Sequence, residues 1–306
     1  MRISPQHYLV AAVGTALAAS AFTVVPAQAT TTLAVKDVVL TVGSNPSQRQ
    51  LTWLDAAGST DQVQLVRTDV QRRHGHGRTA HYPTRVINPS VSSSAGEQSA
   101  WDYHQASLTG LVAGATYTYR ICSTDSACSD DYTFTTAEPG SFNFLVYGDP
   151  QVYTGTKTGQ NGVVENPSVG WADTLAESTT RFPRTAFLLT AGDQVDSYTV
   201  SKQPAEWDAF LAPSQMTSYP VAPNLGNHDN ASGAGYLYAQ HFAVPNLNTS
   251  LGATAAGTGD YWYTYNGVLF VSLNSNSLDF TAHETFLKQA IAANRGAHWR
   301  VVTFHH

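Results

Sequence analysis

The chain has 306 residues, 42% of them hydrophobic and only 12% charged, with 15 Tyr and 12 Phe. That composition excludes a disordered polypeptide and fits a β-leaning globular protein long enough for two domains. A formal net charge of −6 with no basic patch argues against a nucleic-acid groove. An anionic substrate would then draw its positive charge from another source, such as a metal centre.

Arg2, the apolar stretch from Tyr8 to Val25 and the small-x-small triplet Ala27-Gln28-Ala29 read as a secretory signal over residues 1–29. The rest of the chain has no apolar run of the roughly 18 residues that a membrane span needs, so a secreted protein without membrane attachment is expected. Cys122 and Cys128 lie close together in such an exported chain and are expected to close a short disulfide loop.

Residues 30–137 read as all-β. Val38 to Val42 and Gln50 to Leu54 are strand-like runs broken by Gly43-Ser44-Asn45-Pro46, and Gln62 to Val66 alternates polar and apolar residues. The histidines of 72–81 (His74, His76, His81) are interleaved with glycine and read as a solvated loop. Leu108 to Leu111, followed by the Tyr117-Thr118-Tyr119 strand, resembles the tyrosine-corner region of fibronectin type III sandwiches. Tyr132 to Thr136 is the last strand, and Ala137 to Gly140 reads as a linker.

From residue 141 to 306 strands alternate with helices, the pattern of a layered α/β domain. Apolar runs at Phe142–Tyr147, Thr185–Thr190 and Tyr219–Leu225 read as strands, as does Trp299–Phe304. Trp171–Thr180, Ala205–Leu211 and Thr281–Asn294 read as helices, and Tyr261–Asn274 as a hairpin turning at Asn266-Gly267. Four of these strands end in Asp149, Asp193, Asn227-His228 and His305. Ligand sites in open α/β sheets form at the C-terminal ends of strands, so carboxylate, carboxamide and imidazole are delivered to one edge. That mixture of oxygen and nitrogen donors suits two closely spaced metal ions such as Fe, Zn or Mn.

Gly148-Asp149-Pro150-Gln151, Gly192-Asp193-Gln194-Val195-Asp196, Gly226-Asn227-His228-Asp229 and Val301 to His306 resemble, in order and spacing, the first four motifs of the calcineurin-like metallophosphoesterases. The preceding β-domain makes the chain most similar to the purple acid phosphatase branch, which carries a fibronectin-like N-terminal domain. The resemblance implies a dinuclear centre (Fe with Fe, Zn or Mn) that hydrolyses a small phosphate ester. Asp149 would bind the first metal, Asp193 would bridge, Asn227 and His305 would bind the second, and His228 would stabilise the transition state or protonate the leaving group. Asp229 would orient His228 or its loop, or serve as an ordinary turn carboxylate.

Three features depart from the family pattern. Gln151 stands where most members have His, and Asp196 where purple acid phosphatases have their iron-binding Tyr, with Tyr198 two residues later. Gln151, Asp196 and Tyr198 are therefore all candidates for a further metal ligand. The family's Gly-His-x-His motif is not reached within these 306 residues, so the chain as written is expected to be a partial metallophosphoesterase domain, two ligands short and inactive by itself. Three functions stay open: an acid phosphatase-type monoesterase, a phosphodiesterase or nucleotidase of the same fold, and an inactive binding protein.

Overall fold

The computed structural model describes residues 32–68, 83–94, 98–123, 127–158 and 162–306. The signal expected over 1–29 and the histidine-rich stretch fall outside them. Among the described residues no helix is long and apolar enough to cross a membrane.

The N-terminal half consists of strands: β1 (Lys36–Val42), β2 (Arg49–Ala56), β3 (Asp61–Arg67), β4 (Arg85–Ile87), β5 (Ser90–Ser93), β6 (Trp101–Leu108), β7 (Thr116–Ser123) and β8 (Tyr132–Thr135). β3 and β7 bury alternate residues, as period-2 patterning requires of a sheet with one covered face. One sheet runs β4-β3-β7-β8, while β5, β6, β2 and β1 form part of another. Leu40, Leu51, Trp53, Val63, Leu65, Tyr117, Ile121 and Phe134 fill the space between them. The Tyr117 hydroxyl accepts a hydrogen bond from the Val112 N–H at 2.9 Å, tying the turn before β7 to its strand. A disulfide joins Cys122 to Cys128.

The second half begins with β9 (Leu145–Tyr147), a small ribbon of β10 (Lys157–Thr158) and β11 (Val164–Glu165), and helix α1 (Pro167–Arg181). Asn166 caps α1, and the helix turns Trp171, Leu175 and Thr179, spaced by four, into the core. β12 (Leu188–Thr190), α2 (Gln203–Leu211), α3 (Gln215–Ser218), β13 (Val221–Pro223) and α4 (Gly235–His241) follow. β14 (Tyr261–Tyr265) and β15 (Val268–Ser272) form a hairpin, with Asn266 at φ 42° and Gly267 at φ 83°. Positive φ at both central positions is the turn that Asn-Gly favours. α5 (Phe280–Ala293) is capped by the Asp279 carboxylate, and β16 (Trp299–Thr303) pairs in parallel with β15.

Two sheets face each other in this half. Phe187, Leu189 and Ala222 from one pack on Tyr261, Tyr263, Tyr265 and Phe270 from the other. Phe187 and Phe270 are almost wholly buried, each worth roughly 1.5–3 kcal/mol on simple area grounds. α1, α2 and α4 cover the first sheet from outside, through Trp171, Trp207, Phe210 and Leu237. Trp171 and Trp207 are buried in this core, and Trp262 is half-buried against the α5 side.

The two halves share one sheet. Strand order is β5-β6-β2-β1-β13-β12-β9, with Thr41 of β1 in parallel register with Val221 of β13. Val39 and Val42 of β1 belong to the cores of the second half. Buried polar contacts reinforce the join. The Thr41 and Thr52 hydroxyls donate to the carbonyls of Ala243 and His241, each at 2.5 Å. His241, fully buried and stacked on Trp207, contacts Asp37 at 3.2 Å. Ala137 to Gly140 is therefore a connection within one compact unit, Thr31–His306.

Candidate metal centre

β9, β12 and β13 run parallel and side by side, so the residues just beyond their ends emerge together. β16 delivers His305 to the same edge from the opposing sheet. Asp149, Asp193 and His305 offer ligand atoms that all lie within 4.8 Å of one another. Asp193 is buried, His305 half-buried and Asp149 exposed.

This convergence depends on unusual backbone. Asp149, Gln151 and Asp193 have φ of 44°, 41° and 51°, in the left-handed region that costs a non-glycine residue of order 1–3 kcal/mol. Backbone bonds between the two loops hold the strain: Gln151 N–H to Asp193 O at 2.8 Å, and Val152 N–H to Gln194 O at 3.0 Å. Two glycines allow the loops to meet. Gly192, at φ 103°, has no room for a β-carbon, which would lie 2.6 Å from His305 Nδ1 and 2.8 Å from Gly226 Cα.

Asp229 lies beneath the site, fully buried. It accepts hydrogen bonds from the N–H groups of Gln194 (2.9 Å), Val195 (3.2 Å) and Gly226 (2.8 Å), stapling the two ligand loops together. Burial pushes its carboxyl up to about 8, assisted by nearby Asp193 and opposed by those backbone donors. Of the two roles open to Asp229 in the sequence, orienting the loop is the one the contacts display.

The polarity of the cluster decides what it can hold. His305 Nδ1 lies 2.8 Å from the Ala191 carbonyl, which can only accept, so Nδ1 carries the proton. The Nε2 lone pair then faces Asn227 Oδ1 at 2.9 Å and Asp193 Oδ1 at 3.3 Å. With the imidazole neutral, three acceptors meet with no proton donor between them, an arrangement that positive charge stabilises. An imidazole fixed through its other nitrogen by a carbonyl is also the usual setting of a metal-ligating histidine. The residues present fit a metal ion.

The other candidates are placed as follows. His228 directs Nδ1 to the Asp196 carbonyl and Nε2 toward the cleft, 3.6 Å from Asp193 Oδ2, while its backbone N–H donates to Asp193 Oδ1 at 2.9 Å. Gln151 brings its amide to Asp193 Oδ2 at 3.3 Å and to His228 Nε2 at 3.4 Å. The Asp196 carboxylate is ion-paired with Lys157. The Tyr198 hydroxyl accepts from Asn227 Nδ2 at 2.5 Å, and its ring lies on His228. Of the three candidates for a further ligand, only Gln151 touches the Asp193 carboxylate. Sequence reasoning missed His306, whose Nε2 is 3.0 Å from Asn227 Oδ1. It also missed Asn224, which ties β13 to β15 and β16 by accepting from Ser272 (2.6 Å) and Thr303 (3.0 Å). The adjacent His305-His306 doublet and the Asn two residues before Gly226 were the available signals.

Comparison with known proteins identifies the family and the fold. Residues 35–136 match the purple acid phosphatase N-terminal domain, and residues 142–306 match the calcineurin-like phosphoesterase family. The fold is similar to that of purple acid phosphatase PPD1 from yellow lupin (Lupinus luteus) seeds, at 15% identity and a TM-score of 0.63, covering 88% of this chain and 50% of that one. The chain thus spans half the length of that solved relative. Weaker likenesses carry no argument: vertebrate-specific Astrotactin-2 (13% identity, TM-score 0.24, 62% of this chain and 37% of that one) and the sensor domain of the anti-sigma factor RsgI4 from Pseudobacteroides cellulosolvens (13%, 0.22, 36% and 99%). No curated protein matches. With more than half of its length matched by the calcineurin-like phosphoesterase model and a purple acid phosphatase N-terminal domain before it, the chain belongs to the calcineurin-like phosphoesterases and is purple acid phosphatase-like.

Proposed function

We propose that the protein is a secreted, metal-dependent phosphoric ester hydrolase with a dinuclear centre, acting on phosphomonoesters. The observation that carries this reading is the donor-free meeting of His305 Nε2, Asp193 Oδ1 and Asn227 Oδ1, with Asp149 on its exposed side. Asp149 would hold the first ion, Asp193 would serve both, and Asn227 and His305 would hold the second, with Gln151 the best placed of the remaining candidates. The bound ions supply the charge that lowers the pKa of a water and offsets the phosphoryl oxygens.

The chain's own groups do the rest. Asp229 and the paired loops hold the ligands at fixed spacing, so little reorganisation is needed on substrate binding. His228 keeps its Nδ1 proton on the Asp196 carbonyl and turns Nε2 to the cleft, where it carries the proton delivered to the leaving-group oxygen. Gln151 donates its amide to Asp193 Oδ2 at 3.3 Å and lies beside the His228 ring at the mouth of the cleft. The Tyr117 turn bond supports a fibronectin III-like N-terminal domain, and the N-terminal signal pattern supports export.

The test is turnover of p-nitrophenyl phosphate by the protein that carries this chain. Activity is expected to vanish on chelation, return with added metal, and be absent together with bound metal in Asp193→Ala. Turnover that survives chelation sinks the mechanism, and full metal content in Asp193→Ala removes that residue from the bridge. Preference for bis(p-nitrophenyl) phosphate would instead favour a phosphodiesterase.

A further inference from the structure

A primary amide has two ends of nearly equal size, and only its oxygen can bind a cation. In Asn227 that choice is not made by the cluster itself. The lone pair on His305 Nε2 would attract the amide nitrogen, so without a cation the neighbouring ligand favours the wrong end. Contacts outside the cluster oppose this. Tyr198 places its hydroxyl oxygen 2.5 Å from Asn227 Nδ2, and His306 places Nε2 at 3.0 Å from Asn227 Oδ1.

The proton count of this network is consistent. Ser275 Oγ accepts the His306 backbone N–H at 3.0 Å and has its own proton free for His306 Nδ1, 3.4 Å away. The remaining ring proton of His306 then sits on Nε2, pointing at the Asn227 oxygen. Tyr198 is 55% exposed, so its hydroxyl proton can turn to water while the oxygen accepts from the amide. Neither residue touches the Asp149 carboxylate, and Tyr198 has its ring on His228, at 4.1 Å between centroids.

We propose that Tyr198 and His306 are positioning residues that clamp the Asn227 carboxamide from its two ends and hold its oxygen, not its nitrogen, toward the cation. The proposal rests on the metal-dependent hydrolase reading. It gives Tyr198 a role outside the ligand set.

Co(II) titration followed by visible absorption tests it, with the relevant binding step identified as the one lost in Asn227→Ala. Tyr198→Phe keeps the ring and removes the hydroxyl; His306→Phe removes the N–H; His306→Gln restores a donor. The two Phe variants are expected to weaken that step roughly 10–100-fold, the usual effect of removing a partner behind a ligand. His306→Gln is expected to recover most of the loss, and the thermal midpoint of the metal-free protein to stay unchanged. Unchanged Co(II) affinity in both Phe variants overturns the clamp. So does loss of a whole Co(II) equivalent in Tyr198→Phe, which makes the tyrosine a ligand, or a fall in the metal-free midpoint, which makes the pair a folding element. A wild-type chain that binds no Co(II) overturns the hydrolase reading and the clamp together, whereas wild-type binding with insensitive variants overturns the clamp alone.

Discussion

Gly226 lies so close under Asp193 that a β-carbon on it would fall 2.0 Å from the Asp193 amide nitrogen and 2.1 Å from Oδ1. The contact is with backbone, which cannot swing aside like the end of a long side chain. Gly226→Ala must therefore push the second ligand loop away from the third. The expected cost is about 1–3 kcal/mol in stability, together with loss of tight metal binding. Denaturant titration and metal analysis of the purified variant check both, and an alanine variant with native metal content would refute the close-packing argument.

Because β1 is shared, the two halves are expected to unfold together. Trp53 reports on the N-terminal core and Trp171 and Trp207 on the other, so fluorescence of single-tryptophan variants reads each half separately. Coincident transitions are expected, and two separated midpoints would show that the join through β1 and β13 is weak.

Asp37→Asn probes that join more locally. His241 faces two acceptors, the Leu237 carbonyl at 2.7 Å and Asp37 at 3.2 Å, and is fully buried. The Asp37 carboxyl is held below its ordinary range: burial acts to raise it, but His241 and Lys36 outweigh that. Asparagine keeps an acceptor oxygen but turns a charge-assisted hydrogen bond to the buried imidazole into a neutral one, at a cost of roughly 1–2 kcal/mol. Asparagine still tolerates the position's φ of 53°, so the loss reads the charge and not the backbone.

The pair formed by Asp260 and His283 sets a pH dependence. Burial acts to lower the His283 pKa, but Asp260 at 2.7 Å and the Ser277 carbonyl at 3.0 Å, both acceptors, outweigh it, and the net direction is up. Burial pushes Asp260 up even as His283 pulls it down; near neutral pH the histidine, held between two acceptors, sets the pair's direction. A raised folded-state value means the stabilisation is complete below the unfolded pKa of about 6.5 and drains away as pH climbs through the folded one. Thermal midpoints are expected to fall across that window, and His283→Gln to flatten the fall. A steeper decline in the variant would reverse the assignment.

Much of this was legible in the sequence because each candidate ligand follows an apolar run. Asp149, Asp193, Asn227 and His305 could be placed at one edge from strand order alone. Strand lengths were not. Phe142 to Phe144 read as strand, yet the regular strand spans only Leu145–Tyr147, preceded by a single backbone bond from Ala186 N–H to the Asn143 carbonyl at 2.8 Å. Nothing in Val38 to Val42 discloses that its other neighbour is 180 residues away, since β-pairing is non-local. Hydrogen-bond clamps such as Tyr198 and His306 leave no periodic trace; they depend on where two side chains end in space. The buried contacts of His241 with Asp37 and of His283 with Asp260 were invisible for the same reason.

The shared sheet also has a mechanical meaning. β1 runs parallel to β13 and antiparallel to β2, with Thr41 opposite Val221. A pull along β1 loads that seam in shear, where its bonds resist together. A pull across it would peel them one at a time. The N-terminal strands are thus built into the frame that carries Asn227 and Asp193, and a load on them bears on the floor of the candidate metal cleft.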